Sequence, residues 1–117
     1  MKQIIHVDNS VFFRKQMTSF LESEGFQVKS YNNTQEASAA INAGFGDMVI
    51  MGLAFIDSEG EDFAAKIIES FSGPVIVVSS SVDKETEDRL VQMGVKGTVI
   101  KSGFWKDNLR PYLSELD

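Results

Sequence analysis

Short apolar segments rich in β-branched residues alternate along this chain with longer amphipathic segments. The apolar segments cover residues 4–7, 26–31, 47–51, 75–78 and 97–100. Helical periodicity covers residues 11–24, 34–43, 63–71, 83–93 and 105–116. Five strands that alternate with five helices require parallel strands, right-handed crossovers and helices on both faces of one sheet. The sequence therefore predicts a doubly wound α/β domain.

The length and composition are typical of one globular domain, so residues 1–117 are predicted to form a single domain. Hydrophobic residues make up 43% of the 117 residues and charged residues 24%. The absence of cysteine excludes disulfides and thiolate chemistry, and the single His6 cannot form a His-rich metal site. A net charge of −6 without a visible Lys/Arg cluster argues against direct nucleic-acid or membrane binding. We expect a cytoplasmic protein, because the chain shows no apolar run long enough for a signal or a membrane span.

The residues that directly follow the strands are the first place to look for a functional site. Ligands of such sheets bind beyond the carboxyl ends of the parallel strands. Here these residues are mostly polar, and two of them carry charge. In chain order they are Asp8 and Asn9, Gly52, Ser79 and Ser80, and Lys101.

These positions resemble the receiver domain of two-component response regulators, and the resemblance covers essentially the whole chain. Residues 6–10, 47–53, 74–80 and 99–101 are similar to the family's acidic-pair, phosphoacceptor, hydroxyl and lysine segments. Gly60 stands at the family's glycine, eight residues after the acceptor position. The resemblance implies a flavodoxin-like sheet of five parallel strands in the order 2-1-3-4-5 with five helices. It also implies a role in phosphorelay signalling.

Several residues depart from the family pattern in ways that remove its chemistry. Gly52 stands at the position of the family's phosphoaccepting aspartate and carries no nucleophile. Asn9 replaces the second acid of the pair, so Asp8 is one carboxylate where the family supplies three. Because Mg²⁺ prefers carboxylate oxygens, we expect magnesium binding to be weak or absent, and no other cofactor is expected. Thr98 stands at the family's aromatic switch position.

The retained pocket residues also have structural interpretations. Ser79 is favoured as a strand-end hydroxyl bonded to backbone over a phosphate ligand. Lys101 is expected to form an ion pair with Asp8 across the sheet end, a structural role favoured over catalysis. His6 is predicted to be a core or pocket-edge imidazole whose hydrogen bonds are satisfied.

Aromatic residues beside these positions predict one surface contact and one core anchor. Phe12 and Phe13 provide one ring too many for a single apolar stripe, so one of them is expected at the surface. Trp105 is predicted to anchor the closing helix in the core. Asn9 and Ser10 are candidate caps of the first helix.

A regulatory binding module without phosphoryl chemistry is the favoured function. It would dimerise, dock to another receiver or regulate an output domain through the face of the fourth helix, fifth strand and fifth helix. An excised N-terminal module of a longer regulator is favoured over a stand-alone adaptor. The alternatives are phosphorylation of another carboxylate such as Asp57, or binding of a small molecule or anion beside Gly52. An independent enzyme is least favoured, because no nucleophile–base pair converges at the strand ends.

Overall fold

The computed structural model describes residues 1–116 and contains one five-stranded sheet covered by helices. The strands are β1 (Gln3–Val7), β2 (Gln27–Tyr31), β3 (Met48–Met51), β4 (Val75–Ser79) and β5 (Gly97–Ile100). The helices are α1 (Val11–Ser23), α2 (Thr34–Asn42), α3 (Gly60–Ser70), α4 (Lys84–Met93) and α5 (Trp105–Leu113). Asp117, the last residue of the predicted domain, lies outside the described residues. None of the helices found in residues 1–116 is long and apolar enough to cross a membrane.

All strand pairs are parallel, and the strand order is β2-β1-β3-β4-β5. This confirms the predicted flavodoxin-like, doubly wound fold. The order changes direction between β1 and β3, where His6 lies opposite Ile50. Ligands of open α/β sheets bind at such a switch point, so the carboxyl ends of β1 and β3 are the place to search for a site.

The sheet separates two apolar clusters. One packs α1 and α5 against one face, and the other packs α2, α3 and α4 against the opposite face. Strands β1, β3 and β4 are covered on both faces, which explains their nearly continuous apolar sequences. The Trp105 ring packs 5.0 Å from the Phe13 ring and 5.3 Å from the Phe20 ring, centroid to centroid. The prediction that Trp105 anchors the closing helix is confirmed.

Three helices begin at a side chain that accepts a backbone hydrogen bond. Ser10, Asn33 and Asp83 each accept from the N–H three residues later. Ser10 rather than Asn9 therefore caps α1. The closing helix is predicted to reach residue 116, but α5 ends at Leu113 and a 3₁₀ turn follows. There the Ser114 hydroxyl donates to the Pro111 carbonyl, which stabilises this tighter turn.

Candidate functional site

A crevice of about 470 Å³ opens at the carboxyl ends of β1, β3, β4 and β5. The tertiary structure brings together the pocket residues predicted from the sequence. These are Asp8, Asn9, Gly52, Ser79, Ser80 and Lys101. Ser10 and Ser81 also line the crevice. Thr98 and Asp57 do not line the crevice.

The centre of the crevice is an ion pair between Asp8 and Lys101. The Lys101 Nζ lies 2.8 Å from Asp8 Oδ2, and the two side chains are 19% and 4% exposed. Oδ2 has no aligned hydrogen-bond donor within residues 1–116, whereas Oδ1 accepts from the Ser10 N–H at 2.8 Å. Lys101 also lies over the Phe13 ring, 4.2 Å from its centroid. The predicted pair is therefore present, and the Lys101 charge is committed to Asp8.

Arg14 holds the backbone of the same segment and was not assigned a role from the sequence. Its Nη1 donates to the Asp8 carbonyl at 2.6 Å. The two residues are six positions apart, so the contact spans the turn from β1 into α1. The six-residue spacing of Asp8 and Arg14 does not by itself predict this hydrogen bond, because the bond depends on the geometry of the turn.

Gly52 borders this ion pair directly. A Cβ atom built on Gly52 would lie 3.1 Å from Asp8 Oδ2 and 3.6 Å from its Cγ. A side chain at position 52 would therefore contact the Asp8 carboxylate. The Gly52 N–H donates to the Val7 carbonyl at 2.9 Å, so the backbone here continues the sheet. Position 52 offers space beside Asp8 but no reactive group.

The remaining polar residues of the crevice differ in their contacts. The Ser79 hydroxyl donates to the Ser81 carbonyl at 3.1 Å, as predicted for a strand-end serine. The Ser10 hydroxyl accepts from the Phe13 N–H at 3.1 Å. Asn9 is exposed, and within the described part of the chain its side chain has no hydrogen-bond partner. The crevice thus presents hydroxyl and amide groups around a single ion pair.

His6 lies beneath the crevice and departs from its prediction. The imidazole is fully buried, and neither ring nitrogen has a hydrogen-bond partner within residues 1–116. Strand alternation points His6 toward α1, where its ring meets the edge of Phe13 at 6.0 Å. Burial lowers the pKa of His6 to about 4; Asp8 opposes this shift and the Lys101 and Arg14 charges add to it. The expectation of satisfied hydrogen bonds is wrong, because this layer offers the ring apolar neighbours.

Thr98 joins β5 to α4 instead of entering the crevice. Its hydroxyl donates to Glu87 Oε2 at 2.8 Å. Arg89 of α4 donates to both carboxylate oxygens of Glu61 on α3, at 2.9 and 2.8 Å. The hydrogen bond from Arg89 lowers the pKa of Glu61. Polar contacts therefore connect α4 to β5 on one side and to α3 on the other.

Asp57 caps the beginning of α2 from a distant loop. Its carboxylate accepts from the Thr34 N–H at 3.1 Å, the Thr34 hydroxyl at 3.0 Å and the Gln35 N–H at 3.2 Å. Desolvation acts to raise the pKa of Asp57, but these hydrogen bonds hold it below its ordinary value. These three donor groups of Thr34 and Gln35 engage the carboxylate that is the alternative candidate phosphoacceptor. The helix start is visible in the sequence, whereas a cap 23 residues away is not.

The family follows from a comparison with known protein families. A model described as the response regulator receiver domain matches residues 4–112 of the chain. The chain belongs to this family. Receiver domains are signalling modules that interact with proteins such as kinases and output domains. The enzymes named below match this receiver domain only through part of their length.

Two curated relatives carry the name protein-glutamate methylesterase/protein-glutamine glutaminase. The Bacillus subtilis protein is 33% identical over 89 residues, covering 74% of this receiver domain and 25% of the relative. The Syntrophomonas wolfei protein is 32% identical over 104 residues, covering 86% of this domain and 30% of the relative. This receiver domain thus spans less than a third of either relative.

Solved structures confirm the fold of the receiver domain. A CheY-like receiver domain from Methanospirillum hungatei superposes with a TM-score of 0.89 at 22% identity, covering 100% of this chain and 94% of that one. The chemotaxis response regulator CheY4 of Vibrio cholerae superposes with a TM-score of 0.86 at 19% identity, covering 100% of this chain and 99% of that one. At these identities the likeness concerns the fold alone.

Replacing Thr98 by Val is expected to loosen helix α4 of this receiver domain. The change keeps the shape and strand propensity of residue 98 but removes the hydrogen bond to Glu87. A bond of this kind contributes about 1 kcal/mol, so amide exchange in α4 should become about fivefold faster. Hydrogen exchange followed by NMR measures this. The control is Glu85→Gln, an exposed change on the same helix; equal exchange in the Thr98→Val variant and wild type would contradict the prediction.

Replacing Asp57 by Ala is expected to lower the melting temperature and to speed amide exchange at the start of α2. The variant removes the hydrogen bonds that Asp57 accepts from three donor groups of Thr34 and Gln35, which leaves helix N–H groups without their cap. Thermal unfolding at pH 7 and NMR exchange measure both effects. The matched control is Asp62→Ala, which removes an exposed carboxylate of α3. Indistinguishable melting temperatures for the two variants would show that Asp57 has no capping role.

Proposed function

We propose that this receiver domain binds protein partners in two-component signalling without accepting a phosphoryl group. The observation that carries the proposal is Gly52 at the end of β3, directly against the Asp8–Lys101 ion pair. Phosphoryl transfer needs a nucleophile in contact with the bound phosphoryl group, and residue 52 has none. The carboxylate beside it is Asp8, which is already paired with Lys101.

Magnesium binding is proposed to be weak or absent. A magnesium ion at Asp8 would compete with the Lys101 ammonium, 2.8 Å from Oδ2. Asn9 is exposed and neutral, and Gly52 supplies no oxygen from a side chain. Within residues 1–116, no group of three or more His, Asp or Glu side chains is arranged to hold a metal. These residues fit the family's magnesium ion poorly, because Mg²⁺ favours several hard oxygen ligands in octahedral geometry.

A partner surface is proposed on the α4–β5–α5 face. Val91 of α4 and Ile100 of β5 are exposed apolar side chains there. The Thr98–Glu87 hydrogen bond connects the two elements that carry them. We propose this face for a second copy or an output domain. Both curated relatives are longer than this chain, which supports regulation of an attached output domain as the role.

The crevice alternatives have less support from its contacts. An anion entering beside Gly52 would meet the Asp8 carboxylate and would need the charge of Lys101, which is paired. Asp57 would have to exchange its hydrogen bonds to Thr34 and Gln35 for a phosphoryl group. The binding-module function needs neither change.

The proposed function is tested by amide NMR of the domain with Mg²⁺ and beryllofluoride, a mimic of an aspartyl phosphate. We expect no saturable shifts at Asp8, Ala54 and Lys101. The comparison variant is Gly52→Asp, which places a second carboxylate beside Asp8 in the crevice. Its side chain would lie against Asp8 Oδ2, so it is expected to be less stable than wild type without Mg²⁺ and to be stabilised by added Mg²⁺. Saturable shifts in the wild-type crevice would overturn the proposal.

A further inference from the structure

A second groove, lined by α1 and α5, has a charge opposite to that of the whole chain. It encloses about 490 Å³, and Phe20 lies among its lining residues. Lys15 of α1 and Lys106 and Arg110 of α5 line it, and no carboxylate is among the described residues of its lining. The whole chain carries a net charge of −6. No basic cluster is visible in the sequence, because these three residues come together only when α1 packs beside α5.

The uncompensated charge of this α1–α5 groove belongs to Lys15 and Lys106. Arg110 is paired with Glu24 and Asp107. Lys15 and Lys106 are exposed and form no ion pair within residues 1–116. The Lys106 Nζ lies 5.7 Å from the Trp105 ring centroid, which places its charge over the aromatic layer between the two helices. Two lysines are therefore available to a negatively charged partner.

Two exposed aromatic side chains, Phe12 and Phe104, lie at the N-terminal ends of the two helices that line the α1–α5 groove. Phe12 precedes Lys15 by three residues and Ser19 by seven, so it lies on the helix face that lines the groove. Phe12 is 69% exposed, and Phe104, at the N-cap of α5, is 70% exposed. Their sequence neighbours Phe13 and Trp105 are in ring contact at 5.0 Å, which places the N-terminal ends of α1 and α5 beside each other. The sequence prediction that one ring of the Phe12–Phe13 pair is exposed is confirmed for Phe12.

We propose that the α1–α5 groove docks an acidic amphipathic helix of a protein partner. Carboxylates of that helix contact Lys15 and Lys106, and its apolar side chains contact Phe12 and Phe104. This inference rests on the binding function proposed above and specifies the chemistry of one partner. An amphipathic helix presents both kinds of group along one side, so that its apolar anchors give affinity and its charges give orientation.

Charge decides between this occupant and two others. A second copy of the chain joined through the same groove would place one basic groove against the other. Lys15 and Lys106 would then face the lysines of the second copy, and like charges repel each other. Single-stranded nucleic acid would also meet lysines and aromatic rings. Two free lysines on a chain of net charge −6 give weak electrostatic attraction for a polyanion. An acidic helix needs only local complementarity, so it is the occupant that the observations favour.

The test uses two synthetic 20-residue helical peptides with leucine along one face. One carries glutamate beside the leucine face, and the other carries lysine at the same positions. Titrations of the ¹⁵N-labelled domain followed by NMR should show saturable shifts with the glutamate peptide at Phe12, Lys15, Ser19 and Lys106. The lysine peptide should bind at least tenfold more weakly. Higher salt should weaken binding of the glutamate peptide.

Charge-reversed variants separate the groove from the overall charge of the domain. The double variant Lys15→Glu/Lys106→Glu should bind the glutamate peptide at least tenfold more weakly than wild type. The double variant Lys2→Glu/Lys66→Glu has the same change in net charge and should bind the peptide as wild type does. All four lysines are exposed, and unchanged amide spectra verify folding. The proposal would be overturned if the two peptides bound equally well, if neither bound saturably, or if the shifts were centred on Val91. It would also be overturned if a 12-nucleotide oligouridine bound more tightly than the glutamate peptide. A crevice that responds to beryllofluoride would overturn the proposed function instead, so the two failures are distinguishable.

Discussion

Acidification from pH 7 to pH 4 is expected to lower the free energy of unfolding by about 3 kcal/mol through His6, before the carboxylates contribute. The pKa of His6 is about 4 in the folded domain, against an ordinary value of 6.5. The unfolded chain therefore binds a proton as the pH falls below 6.5, whereas the folded domain does not bind it until about pH 4. Stability is lost in that window. Urea unfolding at a series of pH values measures the loss.

His6→Leu isolates this contribution. The variant replaces two buried nitrogens that have no partner within residues 1–116 by apolar atoms of similar volume, so it should be more stable than wild type. Its stability should also change little between pH 6.5 and 4.5. The lowered pKa values of Asp57, Glu61 and Asp83 place their effect below this window. His6 is the single histidine of the chain. An equally steep pH dependence in the variant would show that another group titrates.

Replacing Lys101 by Met is expected to destabilise the domain by about 3 kcal/mol, because it leaves the Asp8 carboxylate buried without its counterion. Asp8 is 4% exposed and its Oδ2 lies 2.8 Å from the lysine. Methionine keeps much of the side-chain volume over the Phe13 ring, so the loss comes mainly from charge. Denaturant unfolding at pH 7 measures the difference.

A double-mutant cycle separates this coupling from lost packing. Asp8→Asn combined with Lys101→Met removes both charges and should recover most of the stability lost in the Lys101 variant. The matched control is Lys84→Met, which breaks an exposed ion pair with Asp88 and should change stability little. Additive effects of the two pocket substitutions would mean that the ion pair contributes nothing beyond packing.

These two predictions concern one layer of the molecule. The Phe13 ring lies between the other two side chains of this layer. Its centroid is 6.0 Å from the His6 ring centroid in the core and 4.2 Å from the Lys101 Nζ at the floor of the crevice. A neutral imidazole below and a paired lysine above leave little free charge at this end of the sheet. This agrees with the proposal that the domain acts through its surfaces rather than through phosphoryl chemistry in its crevice.

Local and periodic features of the sequence predict a doubly wound α/β domain, and the family resemblance supplies its strand order. Each buried strand needs apolar residues on both faces, and each helix needs one apolar stripe, so residues 47–51 and 75–78 identify central strands. The polar residues that end those strands are brought together by any parallel sheet. Asp8 and Lys101 are 93 positions apart, yet their pairing is predictable from these rules once the family resemblance supplies the strand order.

The tertiary structure alone decided the features that depend on which side chains meet across elements. His6 has no polar neighbour for its ring because Phe13 covers it, and Asp57 caps a helix that begins 23 residues earlier. The basic α1–α5 groove exists because Lys15 and Lys106 lie on helices that pack side by side. Periodicity determines which face of an element is buried, because it follows from backbone geometry. Which polar group meets which partner depends on distances between elements, and these are set only when the whole core has packed.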